Sequence, residues 1–455
     1  MRAQVLVRRN RETASQGRDP RIRGLELGEG RHASRGGEMT RALVVSRFFP
    51  WNAERVHGAH QRLRTQVEAL ARVADGVDCL FLVPPDQNCE PEVIRGHEER
   101  LRRLWSSPVT VRLAPTVDLA PPKTRWRRIV PGIFNFRAQL SVRHTSTTAS
   151  VDAVSAALDA RPDIVLVQRL DSMCPLMAVA RQSPEKLRRV RLFFDMDDIE
   201  HVAMRRRLLR DSGGRLDRLL LLQLPALMLA EIRAMRLAAA TFVCSEADRS
   251  YLARLAYPAN VQTVPNSVIF PTLDDPGLSE PLVVFVGGMG HPPNAQAAKY
   301  LVREIWPRIR ARVPAARLAI IGPGSHTALN PWVDESVTFP GFVEDLQPWY
   351  RRARVVCCPI YHGAGTRVKI IEAAAHAKAI VSTRLGAEGL DFEDEREIIL
   401  RDAPAEIAAA CVHLLSEAPA AARLGRAALQ KARRPYDRCA VVEQLADIFG
   451  AGRAA

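Results

Sequence analysis

"LVVFVGGMGHPPNAQAAKYLVREIWPRIRARVPAARLAIIGPG" runs from Leu282 to Gly324 and carries a strand, a helix and a second strand. "LVVFVGG" is a continuous apolar run ending in paired glycines, as befits a parallel strand covered on both faces. In "NAQAAKYLVREIWPRIRARV" the residues Ala298, Leu301, Val302, Ile305 and Ile309 recur at helical spacing. "ARLAIIGPG" then repeats the strand-and-glycine ending. Strand, crossover helix and parallel strand form the repeating unit of an α/β layered domain.

The same alternation extends in both directions. Downstream, strands are expected at "VTFPGF", "ARVVCCPI", "AIVST" and "EIILRD", with a helix opening inside "YHGAGTRVKIIEAAAHAKAIVSTRLGAEGL" (Tyr361 to Leu390) and helices to the C-terminus. Upstream, "VPNSVIFPTLDDPGLSEP" (Val264 to Pro281) is rich in Pro, Asp and Ser and reads as a linker. Before it, "ALVVS", "DCLFLV", "VTVRL", "DIVLVQ", "RLFFD", "ATFVC" and "VQTVP" read as strands separated by helical segments. The expected organisation is a basic arm over 1–38, a doubly wound domain over 39–270, a linker over 271–281 and a second doubly wound domain over 282–430. A final helical segment, 431–455, is expected to pack back on the first domain.

Composition agrees with two such cores. The chain has 455 residues, 47% hydrophobic and 25% charged, which excludes a disordered or membrane-embedded protein. The longest apolar run, "LLLLQLPALMLA" (Leu219 to Ala230), is broken by Pro225 and falls short of the roughly 20 residues of a spanning helix, so a buried helix pair is expected. The first 38 residues lack the apolar stretch of a secretory signal and are rich in Arg, Gly and Ser; they read as disordered, and the ordered chain is expected to begin at Met39. Eight cysteines without a CxxC pair or a Cys/His cluster suit small buried hydrophobes in a reducing, cytoplasmic compartment.

A formal charge of +15 calls for an acidic partner: nucleic acid, anionic lipid or a phosphate-bearing ligand. No zinc finger, helix-turn-helix or aromatic-basic RNA motif supports the first. The glycine loops favour the third. In open parallel sheets ligands lie beyond the carboxyl ends of the strands. There the second domain places Gly287 and Gly288, Gly322 and Gly324, Gly341 with Phe342, and Gly363 with Gly365. Arg367 and Lys369 follow Gly365 and Thr366 at a helix start, where free N–H groups already favour an anion. Cations oppose the helix dipole at that end, so the pair reads as a diphosphate site.

The order "FVGGMGHPPNAQAAKYLV", "LAIIGPG", "PGFVEDLQPWYRRARVVCCPI", "GAGTRVKIIEAAAHAKAIVSTRLGAEGL" closely resembles the donor domain of bacterial retaining glycosyltransferases of family 4, which have the GT-B fold: two Rossmann-like domains facing each other across a cleft. The resemblance spans about Leu282 to Ser416. "ATFVCSEADRSYL" and "VQTVPNSVIFP" look like the segment closing the acceptor domain in that family. It implies a nucleotide-sugar substrate held by the second domain, with no cofactor or metal. Gly287, Gly288, Gly322, Gly324, Gly363, Gly365 and Thr366 would approach the donor, Phe342 and Val343 would offer backbone to the base, and Glu372 would hold the ribose. The family's paired glutamate falls on Ala364 here, Gly288 stands where a phosphate-binding arginine is usual, and Asn294 where a lysine often sits. The missing glutamate leaves a catalytically impaired nucleotide-sugar-binding protein as the alternative to a retaining hexosyltransferase of polysaccharide or glycolipid assembly.

In the first half, "SRFFPWNAERVHGAHQRLRTQVEAL" places Gly58, His60 and Arg62 in a loop that the resemblance sets beside sugar and acceptor; His57 and His60 read equally as a solvated turn. "FFDMDDIEH" (Phe193 to His201) ends a strand in Asp195, Asp197 and Asp198. Asp-Met-Asp resembles the metal-binding DxD of the other large glycosyltransferase fold, but the second-domain pattern argues against that fold. Asp195 or Asp198 is expected to orient the acceptor, with helix capping as the other reading. "KTRWRRIVPGIFNFRAQLSVRH" (Lys123 to His144) has no acidic residue and interleaves Trp126, Phe134 and Phe136 with arginines, either as a surface for anionic membrane and a lipid-linked acceptor or as a buried helix with a solvated basic face.

Overall fold

The computed structural model describes residues 39–50, 58–117, 124–210, 217–272, 279–324, 327–332, 334–363 and 365–451. The N-terminal arm, His57 and Ala364 lie outside them. Seven strands form the first sheet: β1 (Arg41–Ser46), β2 (Gly76–Val83), β3 (Val109–Pro115), β4 (Ile164–Gln168), β5 (Arg191–Asp197), β6 (Ala240–Val243) and β7 (Val261–Thr263). They are parallel in the order β3-β2-β1-β4-β5-β6-β7.

The second sheet holds β8 (Leu282–Val286), β9 (Arg317–Ile321), β10 (Val337–Gly341), β11 (Val355–Cys358), β12 (Ala379–Ser382) and β13 (Ile399–Leu400), parallel in the order β10-β9-β8-β11-β12-β13. Every strand read from the sequence is present. Strand order reverses between β1 and β4 in one sheet and between β8 and β11 in the other, and such switch points open the crevice in which ligands bind. Apolar clusters cover both faces of each sheet, which explains why the strands read as unbroken hydrophobic runs.

The last described helix packs on the first domain. Val268 and Asp437 form a parallel bridge, and the helix Arg438–Gly450 starts with the Asp437 carboxylate accepting from the N–H groups of Cys439 and Ala440 at 2.9 and 3.2 Å. Its Val441, Val442, Leu445 and Phe449 join the core under β1, β2 and β5, where Phe449 meets Phe193 edge-on at 5.0 Å. Arg438 adds an ion pair to Glu68 at 3.0 Å.

The apolar run at Leu219 departs from expectation. Pro225 starts an α-helix, Leu224–Leu237, after a 3-10 segment, Asp217–Gln223, and Leu222 and Leu229 face solvent instead of a core. Beside them the helix Arg125–Phe134 presents Trp126, 66% exposed, and Phe134, 84% exposed, while Phe136 is buried. Among the described residues no single helix is long and apolar enough to cross a membrane. Six of the eight cysteines are buried, and none is in a disulfide.

Candidate active site

A cleft of about 680 Å³ opens between the two domains at both switch points. The second domain supplies its cationic wall. The helix Val368–Ala375 begins at Arg367, whose φ of −92° and ψ of 97° put it at the cap rather than in the first turn, and its Nη1 donates back to the Gly365 carbonyl at 2.6 Å. Lys369 lies in the first turn. Its ammonium donates to the Asn294 amide oxygen at 2.8 Å and sits 4.5 Å above the Phe285 ring, a cation–π contact. Asn294 is itself pinned by donating to the Gly288 carbonyl at 3.2 Å. A side chain at Gly287 would meet Lys369 Nζ at 2.8 Å, so the glycine clears the space the ammonium occupies. Burial lowers the Lys369 pKa to about 8 and lowers that of Arg367 as well. Among the described residues no carboxylate forms a salt bridge with Lys369.

Glu372 lies one turn deeper. It accepts from Gln61 Nε2, on the first-domain helix Gly58–Ala71, at 3.3 Å, and burial raises its pKa. Gln61 carries no motif in the sequence; only the apposition of the domains brings it to Glu372.

The first-domain wall is acidic. Asp197 ends β5 and Asp198 follows it, and both approach Arg169 Nη1, at 3.2 and 3.4 Å, while Arg169 Nη2 donates to Glu200 at 2.7 Å. Asp198 occupies the space that any side chain at Gly365 would need, so a glycine with φ of +75° is what lets the loop before the helix Val368–Ala375 approach the first domain. Two further contacts cross the cleft: Asn266 Nδ2 donates to Thr366 Oγ1 at 2.8 Å, and Arg206 Nη2 to Glu388 at 2.7 Å.

Of the residues expected from the sequence, Gly58, Asp198, Gly287, Gly288, Gly324, Gly365, Thr366, Arg367, Lys369 and Glu372 line the cleft. Gly322, with φ of +148°, packs beneath it on the Gly287 carbonyl, and Gly363 stands behind Arg367. Phe342 is exposed away from the cleft wall, and Val343 packs on the sheet face under Leu282 and Val284. Three first-domain expectations are corrected. His60 and Arg62 stand on the first turns of a helix, not in a loop, and His60 lies against Phe48 outside the cleft lining. Arg62 and Asp195 are both buried and bound to each other: Arg62 Nε lies 2.9 Å from both Asp195 oxygens, Nη2 lies 2.6 Å from Oδ1, and Nη1 donates to the Val264 carbonyl at 2.7 Å. Neither lines the cleft. Sequence reading weighed Asp197 only within a metal-binding Asp-Met-Asp and passed over Arg169, Asn266 and Phe48; all four are on the cleft wall.

Residues 280–417 match the family model described as Glycosyl transferases group 1. The matched segment spans the second domain, which is where this chain is similar to that family. Solved structures place the whole described chain in the GT-B fold. Sucrose-phosphate synthase from Thermosynechococcus elongatus aligns with a TM-score of 0.64 at 17% identity, covering 90% of this chain and 98% of that one. WaaG, a glycosyltransferase involved in lipopolysaccharide biosynthesis, aligns at 0.59 with 13% identity over 90% of this chain and 100% of its own. Anabaena HepE, solved with UDP and glucose, aligns at 0.57 with 12% identity over 91% and 100%. A search of curated proteins finds no match. The matched segment contains the cationic wall, from Gly287 to Glu372, and ends within the helix pair that follows β13.

Proposed function

We propose that this protein moves a hexose from a nucleotide-sugar donor to a glycan or lipid-linked acceptor, with retention at the anomeric carbon and without a bound metal. The observation that carries the reading is Lys369: a desolvated ammonium in a domain-interface cleft, aimed by a neutral amide, calls for an anion from outside. A donor diphosphate fits that demand, and Arg367 beside it adds the second charge. As the bond from sugar to diphosphate breaks, negative charge grows on the leaving group, and preoriented cations stabilise that state more than the ground state. Glu372 then takes the ribose hydroxyls in place of Gln61. The HepE structure with UDP and glucose is consistent with a donor of this class.

The exposed Trp126 and Phe134, with Arg127 on the same helix, suit peripheral contact with an anionic membrane at its cytoplasmic face, where a lipid-linked acceptor would lie. The testing experiment is calorimetry with UDP, GDP and ADP, followed by hydrolysis and transfer assays with the matching nucleotide sugars. Binding with turnover supports the enzyme. Binding without turnover favours the impaired binding protein implied by Ala364, and absence of binding overturns the reading.

A further inference from the structure

The first-domain wall carries more negative charge than its own cations answer. Arg169 is shared by three carboxylates, Asp197 at 3.2 Å, Asp198 at 3.4 Å and Glu200 at 2.7 Å. The nearest other guanidinium of that domain, Arg62, is spent on Asp195 at 2.6 Å and reaches Asp197 only at 4.0 Å. Four carboxylates against two arginines leave two negative charges on the wall. Burial and the neighbouring Asp198 charge raise the Asp197 pKa to about 6, so Asp197 too is ionised at neutral pH.

Hydrogen bonding on this side has the same polarity. Asn266, after β7, lines the cleft and is only 7% exposed. Its Nδ2 donates to Thr366 Oγ1 at 2.8 Å, whereas its Oδ1 is buried and accepts no hydrogen bond among the described residues. A buried acceptor left unpaired costs free energy until a ligand brings it an N–H or O–H group. Carboxylates and amide oxygen together make a surface of acceptors, and a ligand carrying hydroxyl groups is its complement.

The opposite wall says which part of the nucleotide sugar arrives there. With the diphosphate at Arg367 and Lys369 and the nucleoside at Glu372, one turn deeper in the helix Val368–Ala375, the sugar end points back past Gly365. Asp198 stands at that point, since a Cβ on Gly365 would lie 2.0 Å from its Oδ1. Arg367 also faces Asp198, but a bound diphosphate takes up that cation.

We propose that this wall selects the sugar by charge, taking a hexose that presents hydroxyl groups to Asp197, Asp198 and Asn266 and rejecting one that carries a carboxylate. The selection rests on the proposed function and names its substrate class: a neutral hexose, not a uronic acid. A like charge set against desolvated carboxylates is the repulsive element that specificity of this kind requires.

The test is calorimetry on the full chain. UDP, GDP and ADP identify the base, and the matching pair is then compared: UDP-glucose with UDP-glucuronate, GDP-mannose with GDP-mannuronate, or ADP-glucose with ADP-glucuronate. The members of each pair differ only in a hydroxymethyl group exchanged for a carboxylate. Wild type should bind the neutral member on the order of a hundredfold more tightly. Asp198→Asn should narrow that ratio by about tenfold, and Asp197→Asn combined with Asp198→Asn should narrow it further. Arg169 keeps Glu200 in the double variant, and binding of the free nucleotide reports that the variant is folded. Where the double variant loses the free nucleotide, Asp198→Asn decides by the same ratio. A merely structural loss would weaken both members alike and leave the ratio where it was. Uronate bound by wild type as tightly as the neutral sugar, a ratio that the variants do not move, or failure of both sugar forms where the free nucleotide binds overturns the selection. Wild-type protein that binds none of the three nucleotides overturns the proposed function itself, and the selection falls with it.

Discussion

Lys369 donates its hydrogen bond to Asn294, 2.8 Å away, in a cleft where the expected partner of a partly buried ammonium is a carboxylate. An amide orients the cation without neutralising it. Replacing Lys369 or Arg367 by alanine should lower turnover on the order of a hundred- to a thousandfold, more than it lowers nucleotide affinity, because the charge they answer develops in the transition state. Glu372→Ala should chiefly weaken binding of the nucleoside. Steady-state kinetics beside calorimetry separates the two effects; wild-type turnover in both cation variants removes the diphosphate assignment.

Asn294→Asp supplies internally the counter-ion that the donor is proposed to bring. The variant should melt higher than wild type and bind nucleoside diphosphates more weakly, since the anion then meets a cation already paired. Equal or tighter nucleotide binding would show that Lys369 does not face the diphosphate.

The depressed Lys369 pKa sets a pH window. Between about pH 8 and its ordinary value of 10.5 the native protein has released a proton that the unfolded chain still holds. The buried ammonium therefore costs stability below about pH 8, and that cost fades as pH rises towards 10.5. A bound diphosphate favours the charged form, so nucleotide affinity should fall as pH rises through about 8, by about tenfold per unit once the amine is neutral. Titrations between neutral pH and pH 9.5 check this against Lys369→Ala, whose affinity should lack that fall.

Arg62→Ala should act on stability rather than on acceptor use. It leaves Asp195 buried and unpaired, which typically costs about 3–5 kcal/mol. A chemical denaturation midpoint well below wild type is expected. A normal midpoint with a raised acceptor KM would return Arg62 to the cleft.

The exposed aromatic helix predicts salt-sensitive binding to vesicles containing anionic lipid. Trp126→Ala with Phe134→Ala should reduce co-sedimentation even at low salt, and Arg127→Ala should weaken it about fivefold, the equivalent of about 1 kcal/mol per basic residue at such a surface. Binding that ignores salt, or none, would leave the patch without a membrane role.

The strands and the glycine loops at their carboxyl ends were legible because their signals are local. A parallel strand buried on both faces needs an unbroken apolar run, and a tight approach at its carboxyl end needs glycine; both requirements act within a few residues. Gly287, Gly365 and Lys369 were read in this way and Glu372 from the family resemblance, and all four line the cleft. The helix start, by contrast, was misjudged by a single residue at Arg367, a boundary set by cap geometry rather than by composition.

The amino-acid sequence by itself determined two doubly wound sheets, the glycine edge of the second and its pair of cations. Tertiary structure alone decided which charges are spent. Arg62 and Asp195 are 133 positions apart, and nothing in either segment shows that one will neutralise the other. Nor does "FFDMDDIEH" show that its middle carboxylate, Asp197, turns into the cleft while Asp195 turns into the core. Periodicity records which face of an element is buried, but an ion pair depends on what the opposing element carries at the same depth, and that is set only when the sheets and helices have packed.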